Sequence, residues 1–135
     1  MDINKSCRKN KNNMIREQTL VKVIDNSGAK IAKCVKILNG SKKKTAKIGD
    51  FIKVVIKNSN VNSKIKKGQI MNAILVRSKY PFRRKDGTLL SFNDNAVILL
   101  NNSKKLIGTR VFGVLAKEIK LNHFNKLFSL SNELV

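Results

Sequence analysis

Apolar residues in this chain recur at every second position, in short blocks separated by turn residues. Gln18 to Asp25, "QTLVKVID", is rich in Val, Thr and Ile and partly alternates, as a strand does. Ala29 to Leu38, "AKIAKCVKIL", is a second such block. Its Lys30, Lys33 and Lys36 cannot all point one way along a strand, so its outer surface is expected to be basic and one end to bulge. In Phe51 to Lys57, "FIKVVIK", the aliphatic set Ile52, Val54 and Ile56 must face a core. Ile70 to Lys79 reads as a long fourth strand, and the unbroken apolar run Ala96 to Leu100 as a fully buried fifth. Between them lie turn signals: "DNSG" at Asp25 to Gly28, where Asn26 or Gly28 can take positive φ, then Gly68 and Asp86-Gly87.

No helical period interrupts this series. Strands so spaced predict a mainly β fold, a small five-stranded antiparallel β-barrel. Closure removes the edges that such apolar strands would otherwise expose. The tail changes character. Val114 to Leu130 puts Leu115, Ile119, Phe124, Leu127 and Phe128 near helical spacing, with Asn122 able to cap, which predicts one or two short C-terminal α-helices.

Charge changes the picture most. The chain of 135 residues carries 29 Lys and Arg against 8 Asp and Glu, a formal net charge of +21. Self-repulsion on that scale opposes compaction unless a polyanion neutralises it, and nucleic acid is the leading partner. An anionic membrane surface is the weaker alternative, because no stretch joins a basic face to a long apolar helical face. No window reaches the roughly 18 apolar residues of a membrane helix. The N-terminal "MDINKSCRKNKNN" lacks the apolar core of a secretory signal, and Asp2 spoils a transit peptide; it reads as a disordered basic extension over 1–13. Cys7 lies in that tail and Cys34 in a strand pattern, so Cys34 reads as a small core hydrophobe and not half of a disulfide.

Catalytic chemistry finds little to work with. His123, the one histidine, sits beside Phe124 in the tail. Asp25, Asp50 and Asp86 all stand in turn contexts that explain them. Neither paired carboxylates, nor metal-ligand spacing, nor a phosphate-binding glycine loop is visible. No enzyme, metal or cofactor is expected. Cations, by contrast, are organised in three loops: Lys42, Lys43 and Lys44 with Lys47; Lys64, Lys66 and Lys67; and the claw Arg83, Arg84 and Lys85. Strands hold each loop, so the charges are mounted at fixed spacing, which suits the phosphates of a folded RNA. Exposed aromatics in series, the mark of a single-strand binder, are missing; Tyr80 or Phe82 could stack on one base or pack under the hairpin.

From Met14 onward the motifs follow a known order. "MIREQT", "VIDNSGAK", "IKKGQI", "AILVRSKYPFRRKDGTLLSFNDNAVILLNN", "IGTRVFG" and "FNKLFSL" together make residues 14–135 similar to the universal large-subunit ribosomal protein L-fourteen family, of an organellar type. The resemblance implies one barrel domain over 14–135. It further implies a place at the interface side of the large subunit, held by large-subunit ribosomal RNA and neighbouring ribosomal proteins. One face would reach small-subunit RNA and receive a ribosome-silencing or anti-association factor. The basic loops match RNA-facing ones, with Lys30, Arg77 and Lys79 added to the three clusters as RNA-binding candidates. Thr109, Arg110 and Lys126 fall on the factor-binding surface. Lys85 and Val114 stand where relatives carry prolines, and Asn93-Asp94 replaces an Asp-Gly pair. The extension 1–13 would reach into RNA or a lineage-specific neighbour.

The expected function is therefore a structural role in the large ribosomal subunit, with RNA held by the basic loops and bridges made to the small subunit. A free basic RNA-binding barrel or RNA chaperone is the alternative. Heavy use of Lys, Asn and Ile suggests an AT-rich genome; a mitochondrial ribosome is expected, with plastid or bacterial cytoplasm as alternatives.

Overall fold

The alternation becomes wall and core. In the computed structural model, which describes residues 14–38, 40, 44–117 and the backbone of 133–134, five strands close into a barrel in the order β1-β2-β3-β4-β7. They are β1 (Leu20–Val23), β2 (Ala29–Ile37), β3 (Phe51–Ser59), β4 (Ile70–Arg77) and β7 (Ala96–Leu100). A two-stranded hairpin, β5 (Phe82–Arg83) with β6 (Leu89–Leu90), is inserted between β4 and β7. The β3 aliphatics Ile52, Val54 and Ile56 are wholly buried, as their period requires.

The barrel corrects the all-antiparallel expectation at one seam. Four neighbouring pairs are antiparallel, but β1 and β7 run parallel, with Lys22 opposite Ala96 and Val23 opposite Val97. Parity demands it. Strand directions that alternate around a ring cannot close on an odd number, so one pair must match.

Strand β2 bulges, as its lysines anticipated, though not at one end only. Its register against β3 shifts around Ile31 and again between Cys34 and Lys36. The bulges let Lys30 and Lys36 stay exposed while Ala32, Cys34 and Ile37 stay in the core. Cys34 is a free, buried thiol, and burial, seconded by the nearby Glu17 charge, pushes it up to about 11.

Two cores explain the continuous apolar strands. The inner one fills the barrel and includes Val97 and Leu99 of β7 with Ala73 and Leu75 of β4. The outer one takes the opposite faces, Ala96, Ile98 and Leu100 with Ile74 and Val76. Phe82, Leu90 and Phe92 of the hairpin region roof that second core. Each buried Leu or Ile side chain contributes about 1.5–3 kcal/mol, so β7, buried on both faces, stabilises the barrel interior with one face and the outer core with the other.

The tail departs from expectation where it is described. Val114 and Leu115, read from sequence as the start of a helix, form strand β8 (Val114–Leu115), which pairs in parallel with β9 (Glu133–Leu134). Gly113, at φ +87°, turns the chain there, and Leu115 and Ala116 sink into the outer core. The ladder takes the backbone groups a helix would have used. The remaining expected helical span, 118–130, lies outside the described residues, as does the extension 1–13.

Candidate nucleic-acid interface

Antiparallel neighbours put alternate loops at opposite ends of the barrel. The β2–β3 loop and the β5–β6 hairpin share one end; the β1–β2 turn and the β3–β4 loop share the other. The three basic clusters read from sequence therefore do not form one surface. The structure brings two together and sends the third away.

At the hairpin end, the turn Lys47 to Asp50 is closed twice: Lys47 N–H donates to Asp50 Oδ2 at 2.8 Å, and Asp50 N–H to the Lys47 carbonyl at 3.0 Å. Gly49 N–H donates to the Leu75 carbonyl at 2.7 Å and Leu75 N–H to the Asp50 carbonyl at 3.0 Å, which sews the turn to β4. Lys44 and Lys47 are thus exposed on a fixed loop, while Lys42 and Lys43 lie outside the described residues. The claw is equally fixed. Arg84 N–H reaches the Thr88 carbonyl at 2.9 Å, and Asp86 Oδ1 accepts from both Thr88 N–H and the Thr88 hydroxyl at 3.1 and 2.7 Å. The Thr88 hydroxyl, then its N–H, hold the Asp86 carboxyl below its ordinary range. Arg83 and Lys85 project into solvent, whereas Arg84 is half-buried. Lys79 is exposed between β4 and the hairpin, its N–H tied to Asn95 Oδ1 at 2.9 Å.

At the turn end, Lys64, Lys66 and Lys67 are exposed around Ile65, which is 4% exposed and belongs to the inner core. The Ser63 hydroxyl donates within reach of the Asn60 and Ile65 carbonyls at 2.8 and 2.7 Å, and Gly68 N–H donates to the Ile56 carbonyl at 2.8 Å. The β1–β2 turn packs on this loop. Asn60 N–H donates to the Gly28 carbonyl at 2.8 Å, and a Cβ on Gly28 would stand 2.2 Å from Ser63 Cβ. Gly28 also has φ +105°, so it, and not Asn26, supplies the left-handed residue. Lys30 is exposed just beyond.

Thr109 and Arg110 lie at the same end, held by a residue that sequence reasoning treated only as a turn former. Asn26 Oδ1 accepts from the N–H groups of Thr109 and Arg110 at 2.7 and 3.1 Å, and its amide donates to the Thr109 hydroxyl at 2.8 Å. Next to it, buried Asp25 accepts from Ser27 through Oδ1 and from Leu99 N–H through Oδ2 at 3.2 Å. Burial raises its carboxyl above the ordinary value against those hydrogen bonds. Asn26 stands in a turn, 83 residues before its partner. No local pattern links the two. Lys126 lies outside the described residues.

Arg77 stands apart from the loop cations. Its guanidinium is mostly enclosed, 3.4 Å from Asp94 Oδ2, and its tip would meet a Cβ on Gly113 at 2.8 Å. It ties the end of β4 to the turn before β7 and to the start of the tail. Register also exposes a pair that sequence reasoning passed over. Lys36 on β2 faces Lys53 on β3 across the outer wall, both exposed. Like charges directly opposite repel, and a phosphate between them would relieve it.

The described surface is thus an array of exposed cations, on the loops at both ends and on the outer wall of β2 and β3. Among the described residues, no three His, Cys, Asp or Glu side chains converge as a metal ion would need. Comparison with known proteins gives the chain a family. The family described as ribosomal protein L14p/L23e matches residues 14–135. The chain is 57% identical over 122 residues to the large ribosomal subunit protein uL14 of Carsonella ruddii (strain PV), an alignment spanning 90% of this chain and 100% of that protein.

Proposed function

Because the chain belongs to the ribosomal protein L14p/L23e family and is a structural constituent of the large ribosomal subunit, we propose that it is held there chiefly by the hairpin end of its barrel. Arg83, Lys85, Lys79, Lys47 and Lys44 clamp ribosomal RNA phosphates. The single observation that carries this is the mounting of the claw: exposed cations on a closed hairpin whose underside is locked into the outer core by Phe82, Leu90 and Phe92. Charges so held lose little freedom on binding, and each neutralised phosphate releases counterions. Lys64, Lys66, Lys67 and Lys30 contact RNA at the other end. Thr109 and Arg110, pinned by Asn26, offer a rigid polar face to the small subunit or to a factor that keeps the subunits apart.

Composition supports an AT-rich source, mitochondrial, plastid or bacterial, and the likeness to the Carsonella ruddii protein supports the bacterial cytoplasm. The alternative of a free RNA-binding barrel has no feature that favours it.

Charge reversal tests the clamp. Arg83→Glu with Lys85→Glu leaves half-buried Arg84 in place and so spares the hairpin. Large subunits from cells carrying tagged chain, sedimented at rising salt with the co-migrating RNA identified, should lose the variant at lower salt than the wild type. Equal retention would refute the clamp.

A further inference from the structure

Between the claw and the Lys47 turn lies a cavity of about 310 Å³. Its floor is apolar: Ala46 and Ile48 are 4% and 6% exposed. Its wall carries the half-buried rings of Tyr80 and Phe82. Met14, Ser78 and Pro81 also line it, and exposed Lys47 and Arg83 come one from each basic segment. An apolar floor and aromatic wall with cations at the rim suit a flat aromatic group attached to a phosphate.

We propose that this cavity takes a single unstacked base of the ribosomal RNA, its ring against Tyr80 and Phe82 and its flanking phosphates on Lys47 and Arg83. The size fits, since 310 Å³ stands at the small end of ligand pockets and admits a base but no helix or strand. The backbone that carries the rings is pre-set. Tyr80 N–H donates to the buried Ser78 hydroxyl at 3.2 Å, and Phe82 is paired through β5–β6 and packed on the outer core. Ser78 also lines the cavity, and its hydroxyl carries a proton that a base edge can accept. RNA-binding proteins that read sequence do so mostly on bases splayed from loops and bulges onto aromatic rings. The site would thus add base recognition to a face otherwise limited to phosphates. It rests on the clamp reading above, because the base must arrive with the backbone the claw holds.

Purified large subunits carrying the full chain are irradiated at 254 nm, digested with nuclease and protease, and mapped by mass spectrometry. A nucleotide adduct on Tyr80 or Phe82 is the expected result. Particles with Tyr80→Ala and Tyr80→Phe are then probed with base-specific reagents. One base should become roughly tenfold more reactive with Ala and stay protected with Phe. Adducts elsewhere on the chain with none at 80–82, a crosslink from Tyr80 to protein (residues 1–13 of this chain included), or unchanged base reactivity in Tyr80→Ala would each overturn the proposal. Failure of the clamp itself shows separately, as normal salt resistance of the Arg83→Glu, Lys85→Glu particle.

Discussion

The two ends of the barrel are both basic, yet they are built on different principles. The turn end is stitched by polar contacts. Asn26 holds Thr109 and Arg110, Asp25 holds Leu99 N–H, and Gly28 lies against Ser63. The hairpin end also closes its turns with polar bonds, but it rests on the barrel through apolar contact, with Phe82, Leu90 and Phe92 packed against the outer core. Directional bonds fix a surface tightly but tolerate little change. Apolar roofing fixes an element while leaving a cleft beneath it, the cavity beside Tyr80. A rigid face suits a partner that must meet the protein at one angle; a roofed cleft suits a ligand that inserts.

That difference can be broken most severely at Gly28. Gly28→Val places a β-branched residue at φ +105° and drives a Cβ into Ser63. Strain and overpacking together should cost about 3–5 kcal/mol. Thermal melts of the purified chain should show the loss, and a melt within 1–2 °C of wild type would mean that the turn end is far softer than described.

Asp25 gives a smaller effect with a sign. Its folded carboxyl is raised by burial above its ordinary value, so the folded state binds its proton more readily than the unfolded state does. The stability it contributes is full below the unfolded value of about 3.8 and is lost as pH rises through the folded one. Asp25→Asn has no such proton. Urea midpoints measured from pH 4 to 7 should fall with pH more steeply in the wild type than in Asp25→Asn. Parallel curves would contradict this. Asp25→Ala, which strands Leu99 N–H in the core, should cost about 1–3 kcal/mol at any pH in that range.

The claw should show the smallest effect on stability. Arg83→Glu with Lys85→Glu changes two exposed side chains and should alter folding by less than about 0.5 kcal/mol per site. A larger loss would mean that the claw is part of the scaffold it is meant to decorate.

Much of this is legible in the sequence. Ile52, Val54 and Ile56 declare the core face of β3 by period alone, and Asp25, Asp50 and Asp86 prove to be turn acceptors. The run Ala96 to Leu100 signals burial on both faces, though not what covers the second face. The parallel seam is open to parity, given five strands. Relations across the chain are not legible: Asn26 with Thr109, Lys36 opposite Lys53, and the separation of Lys64, Lys66 and Lys67 from the claw. These depend on register and on which end a loop occupies. Val114 and Leu115 differ from expectation because Leu115 fits a helical period and a strand equally well, and packing of that residue in the outer core decides between them.

The clamp at the hairpin end is tested most directly by the salt dependence of retention. Large subunits bearing wild-type chain or Arg83→Glu, Lys85→Glu chain are sedimented through gradients of stepped monovalent salt, and the bound fraction is measured at each step. The variant should dissociate at lower salt, with its log-log salt slope reduced by roughly 2, one for each phosphate no longer neutralised. Superimposable curves, from a variant that melts like the wild type, would show that the claw does not hold the RNA.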